Sequence, residues 1–175
     1  MRRGYTMAGW CCMCCCDGET MDHLLMHCNI VHALWSFVFK AFGVLWVLPH
    51  RVVDLLFEWR NWFGKHNLSL WNLVPLCLMW TVWRERNART FEDVWRSTDQ
   101  LIESFVNSLF DWSRIWGFTT TNYVPEFVVS LHSVSCTFWC ICCFPQVHVL
   151  CTLRCFFNTI LITYQKKDLW LSCPM

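Results

Sequence analysis

The chain has 175 residues, enough for one ordinary domain with a tail or two small modules, which excludes a large multidomain enzyme. Apolar residues make up 55% and aromatic residues 17%, while charged residues reach only 15%, against about 25% in an average globular protein, so a fully soluble monomer is not the expectation. The 14 Lys plus Arg and 13 Asp plus Glu leave a net charge of +1, which removes overall charge as a basis for strong nucleic-acid binding and leaves only a local patch to supply it.

The first element in chain order is a cysteine cluster. Of 14 cysteines, six lie between Cys11 and Cys28, Cys77 stands alone and seven run from Cys136 to Cys173. Met1-Arg2-Arg3 makes the basic start of an export signal, but Gly4 to Trp10 is too short and too polar to continue it. A reducing, intracellular compartment is therefore expected, where clustered cysteines point to metal more than to disulfides. Within the cluster, Cys11 and Cys14 form C-x2-C, and His23 and Cys28 follow after eight residues as H-x4-C. Two close pairs of soft ligands separated by an Asp17-Gly18 turn supply the tetrahedral set of a structural zinc site, closed to water and so not catalytic. Two alternatives stay open on spacing: Cys12 with Cys15 as the first pair, and His23 with His27, which share a helix face, as the second. His23 and Cys28 lie about 140° apart on a regular helix, so a break before Cys28 is expected, with Asn29 capping the helix that follows.

That helix is predicted over 31–42, from the stripe Val31, Trp35, Val38 and Phe42 widened by Leu34 and Phe39, and Gly43 ends it. A second is predicted from Arg51 to Phe63. A third begins near Pro75, which suits a first turn, and runs to about Phe91. The fourth carries Leu101, Phe105, Leu109, Trp112 and Trp116 at helical spacing, with Gly117 as its stop. Arg84, Arg86 and Arg89, with Trp80 and Trp83, offer a basic and aromatic surface for nucleic acid. The competing and preferred reading is a helix end that favours cations over tryptophans buried in the core. Glu92 and Asp93 beside Arg89 and Arg96 read as surface ion pairs. Cys77, between Leu76 and Leu78, reads as a buried inert thiol, and His32, His50 and His66 as surface or packing residues.

Arg2-Arg3-Gly4, Cys11-Cys12-Met13-Cys14, Gly18-Glu19-Thr20, Asp22-His23-Leu24-Leu25, His27-Cys28 and Leu34-Trp35 together resemble the zinc-binding domain that follows reverse transcriptase in plant non-LTR (LINE-type) retrotransposons. Further on, Trp46, Pro49, Arg51 to Leu56, Val74 to Trp80, Trp83 to Asn87, Arg89 and Phe91 resemble the region that continues such elements, so the similarity spans residues 2–117. The resemblance implies zinc on Cys11, Cys14, His23 and Cys28 and a non-catalytic accessory role in contact with RNA or DNA. Relatives carry a stretch rich in Trp, Phe and Pro before the first cysteine, so it also implies a module truncated at its N-terminus. The chain lacks Tyr-x-Asp-Asp or any similar carboxylate pair for the two metal ions of nucleotide transfer. Neither polymerase activity nor a small-molecule substrate is expected.

Beyond Thr119-Thr120-Thr121-Asn122 a linker over 118–126 is predicted, and Phe127 to Leu153 then contains no Asp, Glu, Lys or Arg. Phe127 to Tyr164 has the apolar character of a membrane span, interrupted by Pro145-Gln146 and His148, and the preferred reading is a poorly ordered apolar tail. No spacing organises Cys140, Cys142, Cys143, Cys151 and Cys155 into a second metal site. The expected fold is mainly α, with a small zinc-binding loop and following helix over 1–43, a helical region over 44–117 giving three or four helices in all, and a tail over 118–175. Nucleic-acid binding, if the family role carries over, is weak. The rival functional readings are a small membrane protein anchored by its C-terminal region and a degenerate product without function.

Overall fold

A computed structural model describes residues 9–62 and 69–136, all within one compact unit. It is mainly helical, and among the described residues no strand forms beyond one antiparallel bridge between Trp10 and Gly18. The cysteine loop comes first. A π-helical turn over His23–His27 leads into α1 (Asn29–Ala41), α2 (Val52–Trp62) and α3 (Ser69–Asn87). A second π-helical turn over Ala88–Glu92 precedes α4 (Thr98–Ile115) and α5 (Val124–Cys136).

The predicted stripe of α1 is the buried one: Val31, Leu34, Trp35 and Val38 are inaccessible and Phe42 nearly so. Gly43, at φ +62°, ends the helix. Its N–H donates to the Lys40 carbonyl and that of Val44 to the Phe39 carbonyl at 2.8 Å, a Schellman turn that satisfies carbonyls the helix end would leave bare. Gly117, at φ +69°, does the same for α4, where Phe118 donates to the Ser113 carbonyl at 2.7 Å. At its start α4 has a capping box, with Gln100 N–H on Ser97 Oγ and Ser97 N–H on Gln100 Oε1. The S-x-x-Q spacing is visible in the sequence as a helix start. On α4, Leu101, Phe105 and Leu109 are buried as predicted, whereas Trp116 is exposed and Val106, Phe110 and Ser113 complete the buried face.

α3 is central. Leu70 and Trp71, Leu73 to Met79 and Thr81 to Trp83 are buried, so it is apolar on nearly every face, as befits a helix covered on all sides. It packs against α1, α2, α4 and the first π-turn. It starts six residues before the predicted start at Pro75, which lies inside the helix. Proline has no N–H for the carbonyl four residues back, and that carbonyl, of Trp71, accepts instead from the indole N–H of Trp59 at 3.1 Å. Trp59 stacks on Trp71 with ring centroids 4.0 Å apart, and Trp35 and Trp46 pack around it. A side chain on α2 thus supplies the donor that lets the helix run through the proline.

The stretch read as a linker over 118–126 contains the start of α5 at Val124. Phe127 and Leu131, four residues apart, are buried, and Phe127 packs on Phe110 of α4. Among the described residues no helix is long and apolar enough to cross a membrane. The cysteines from Cys140 onward, Pro145 and the rest of the predicted span lie outside the described residues, as does His66.

Candidate metal centre

The loop before the first π-turn folds back on itself through short backbone bonds. Cys11 N–H donates to the Asp17 carbonyl at 2.8 Å, Cys15 N–H to the Cys11 carbonyl at 2.8 Å and Glu19 N–H to the Gly9 carbonyl at 2.7 Å. Cys15 has φ +55°, the left-handed region that costs a side-chain-bearing residue about 1–2 kcal/mol. That strain lies immediately after the second cysteine of C-x2-C, where the chain must reverse to bring both sulfurs to one side. Gly18 N–H closes onto Asp17 Oδ1 at 2.7 Å, so Asp17-Gly18 makes the predicted turn.

The second pair reaches the first by a route the sequence did not suggest. The segment winds as a π-turn, with Cys28 N–H donating to the His23 carbonyl at 2.7 Å, and the expected break falls at Cys28 itself, whose non-helical backbone (φ −56°, ψ 131°) separates the turn from α1. The i to i+5 bond widens the turn, so residues five apart come onto one face instead of diverging by about 140°. Thr20 Oγ1 accepts from His23 N–H at 3.1 Å at the start of the turn. Trp35 Nε1 donates to the Leu25 carbonyl at 2.9 Å, fastening the turn to α1 while Leu24, Leu25 and Met26 are buried beneath it. The N-cap of α1 is Cys28, not Asn29.

Cys11, Cys14, His23 and Cys28 thereby converge. One ligand atom from each lies within 4.8 Å of all the others, with Cys11 Sγ 4.0 Å from Cys28 Sγ and Cys14 Sγ 3.3 Å from His23 Nε2. Cys11 and Cys28 are fully buried, while Cys14 and His23 are partly exposed. Asp17 Oδ2 lies 3.5 Å from His23 Nδ1, and a carboxylate there favours the proton on Nδ1 and leaves Nε2 to bind. Hydrogen bonding from Cys11 lowers the Cys28 thiol below its ordinary range, helped by the backbone N–H groups of Ile30 and Val31 at the start of α1. Cys11, as the proton holder of that pair and buried, is raised. The four are close enough to bind one metal ion.

The alternative registers separate cleanly. Cys12 is buried and turned away, its thiol on the Arg86 carbonyl at 3.7 Å and pushed up to about 11 by burial. Cys15 and Cys16 are exposed. His27 Nε2 meets the His50 carbonyl at 3.0 Å and takes no part. Cys77 is buried with its thiol raised by desolvation, as its setting suggested. Among the described residues no second cluster of this kind occurs.

Of the three arginines read as a nucleic-acid surface, only Arg84 is exposed. Arg86 and Arg89 are buried at 1% and 8% exposure and already engaged. Arg86 Nη2 pairs with Glu19 Oε1 at 2.8 Å, and Arg89 Nε with Glu85 Oε1 at 2.7 Å. Trp83 is buried as well, as the packing reading of this helix end expects, whereas Trp80 is half-buried. Arg89 and Arg96 also pair differently from expectation: both meet Glu85, not Glu92 or Asp93. Burial alone would raise the Glu85 carboxyl, but the Arg96 N–H and the two guanidinium groups outweigh it and hold the carboxyl below its usual range. Glu85 stands four residues before Arg89, a helical ion-pair spacing legible in the sequence, whereas its second partner, Arg96, lies across the second π-turn.

These features define a class, a partly buried cluster of three cysteines and one histidine set into a helical domain. No family model, curated protein or solved structure matches the chain.

Proposed function

We propose that the cluster is a structural zinc site, and that the chain is a non-catalytic zinc module of the kind its motifs resemble, the accessory domain that follows reverse transcriptase in plant LINE-type retrotransposons. The observation that carries the reading is that one ligand atom each of Cys11, Cys14, His23 and Cys28 lies within 4.8 Å of the others. Three thiolates with one imidazole form a soft set that suits zinc over hard cations such as magnesium or calcium, and four protein ligands leave no open position for a substrate or an activated water. Ligands held tetrahedrally at zinc bond lengths lie about 3.8 Å apart for two sulfurs and about 3.6 Å for sulfur and nitrogen. The 4.0 Å and 3.3 Å separations lie close to both.

The accessory role rests on the resemblance, with contact to RNA or DNA as its content. Arg84, exposed near the end of α3, is the member of the arginine set turned to solvent, where it can meet a phosphate. A net charge of +1 keeps such binding weak and salt-sensitive.

Elemental analysis of the full chain refolded with zinc tests the site, with one zinc per chain expected. Cobalt substitution should give the visible bands of a tetrahedral thiolate site. A chain that returns from dialysis free of metal overturns the reading. For the accessory role, anisotropy titrations with single-stranded RNA and DNA at two salt concentrations should show weak binding that Arg84→Ala reduces. Binding indifferent to salt would place contact on another surface.

A further inference from the structure

The two residues between the first ligand pair, Cys12 and Met13, are gripped from outside the loop. Arg89 Nη1 donates to the Met13 carbonyl at 2.8 Å, while its other nitrogens hold Glu85 Oε1 at 2.7 Å and the Arg96 carbonyl at 3.0 Å. Arg86 donates through Nη2 and Nε to Glu19 Oε1, at 2.8 and 3.2 Å. Glu19 in turn accepts the Cys12 N–H on Oε2 at 3.3 Å. The Cys12 thiol rests on the Arg86 carbonyl, which also accepts from Thr90 Oγ1 at 2.8 Å. Each backbone polar group contacted inside C-x2-C is thus matched to a charged side chain that is itself nearly inaccessible, Arg86 at 1%, Arg89 at 4% and Glu19 at 5% side-chain exposure.

We propose that Arg86 and Arg89, with Glu19 as the link, are positioning residues of the metal centre: they hold the C-x2-C loop in its ligating shape, so that affinity for the metal is set in part by the end of α3 and the π-turn that follows it, where Arg89 lies 76 residues from Met13. The inference rests on the reading of the cluster as a zinc site. Its physical basis is preorganisation. A loop that carries a left-handed Cys15 loses backbone freedom when it closes on an ion, and hydrogen bonds already in place before binding reduce what the metal must offset. Arginine suits the task because one planar fork satisfies three acceptors at fixed angles, which a lysine ammonium on a flexible stem does not. The same contacts explain why Cys12 is not a ligand: its side chain is the part of the loop that docks.

The test compares zinc affinity, by chelator competition on the full chain, for wild type, Arg89→Met, Arg89→Lys and Glu19→Gln. Phe127→Ala on α5 serves as a control that lowers the melting temperature from outside these contacts. Each is measured at a temperature where circular dichroism shows it folded. Arg89→Met should weaken zinc by about 10–100-fold, the usual effect of removing an outer-shell partner, with Arg89→Lys recovering only part of this. Its cobalt complex should show shifted ligand-field bands, which Phe127→Ala should not. If Arg89→Met does not fold, the near-isosteric Glu19→Gln decides the matter through a several-fold loss. Wild-type zinc binding with the Arg89 and Glu19 variants no weaker than Phe127→Ala overturns the positioning role and leaves the zinc site standing. A wild-type chain that binds no zinc removes both.

Discussion

The donation from Trp59 to the carbonyl released by Pro75 can be isolated by a double-mutant cycle. Trp59→Phe keeps an aromatic ring in the stack but removes the indole N–H that reaches the Trp71 carbonyl at 3.1 Å. Trp59 and Trp71 are both 2% exposed, so water cannot readily replace the donor, and a buried acceptor left unsatisfied costs about 1–3 kcal/mol. The smaller ring adds a packing loss to this. Pro75→Ala returns an N–H to position 75, which in a regular helix donates to the carbonyl of Trp71. In that background Trp59→Phe should lose only its packing contribution. The coupling between the two substitutions is then the hydrogen bond itself, about 1–3 kcal/mol, while the ring-size penalty cancels. Equilibrium denaturation followed by far-ultraviolet circular dichroism reads it, at fixed free zinc because a bound ion shifts apparent stability. In a chain of this length each kcal/mol corresponds to about 2–4 °C of melting temperature. Independent sites add to within about 0.3–0.5 kcal/mol, so a coupling inside that range would show that the Trp71 carbonyl has no need of Trp59.

Cys11→Ser, Cys14→Ser and Cys28→Ser should each abolish stoichiometric metal while Cys12→Ser, Cys15→Ser and Cys16→Ser retain it, as read by elemental analysis after gel filtration; loss of metal in Cys12→Ser and Cys15→Ser but not in Cys11→Ser and Cys14→Ser would favour the Cys12 and Cys15 register. Acid should release the ion first, because thiolates and the His23 imidazole must be deprotonated to bind, and a metal-indicator titration across pH follows the release. The Glu85 carboxyl is held below its usual range, so its contribution to stability is complete above the unfolded carboxylate value of about 4.3 and is lost as pH falls through its lower folded value. Glu85→Gln should therefore destabilise the protein at neutral pH and flatten the acid limb of its stability profile; an unchanged limb would assign that limb to other groups. Gly117→Ala should cost about 1–2 kcal/mol from backbone strain alone, since φ is +69° and nothing lies within 4 Å of an added Cβ, and an unaltered melting temperature would refute the strained-turn account.

The sequence by itself determined the elements whose causes are local. Ligand chemistry and spacing pointed to one four-ligand metal site between Cys11 and Cys28, the 3.6-residue stripes located α1 and α4, and Gly43 and Gly117 marked their ends because glycine alone adopts the left-handed conformation of such turns without cost. Tertiary structure decided what depends on distant partners. Spacing could not choose between Cys11 and Cys12, since the choice turns on the Arg86 carbonyl that receives the Cys12 thiol. The H-x4-C pair reads as divergent on a regular helix, and it converges because Trp35 and a buried Leu24-Leu25-Met26 underside support a π-turn. Pro75 signals a helix start until a donor from α2 is known to satisfy the carbonyl behind it. Arg86 looks like a surface cation because its counter-ion, Glu19, lies 67 residues back, and Arg89, whose partner Glu85 is one helical turn back and visible in the spacing, is seen to be buried only in the folded chain. Local periodicity encodes which residues turn inward, and only the folded chain assigns each buried polar group its partner.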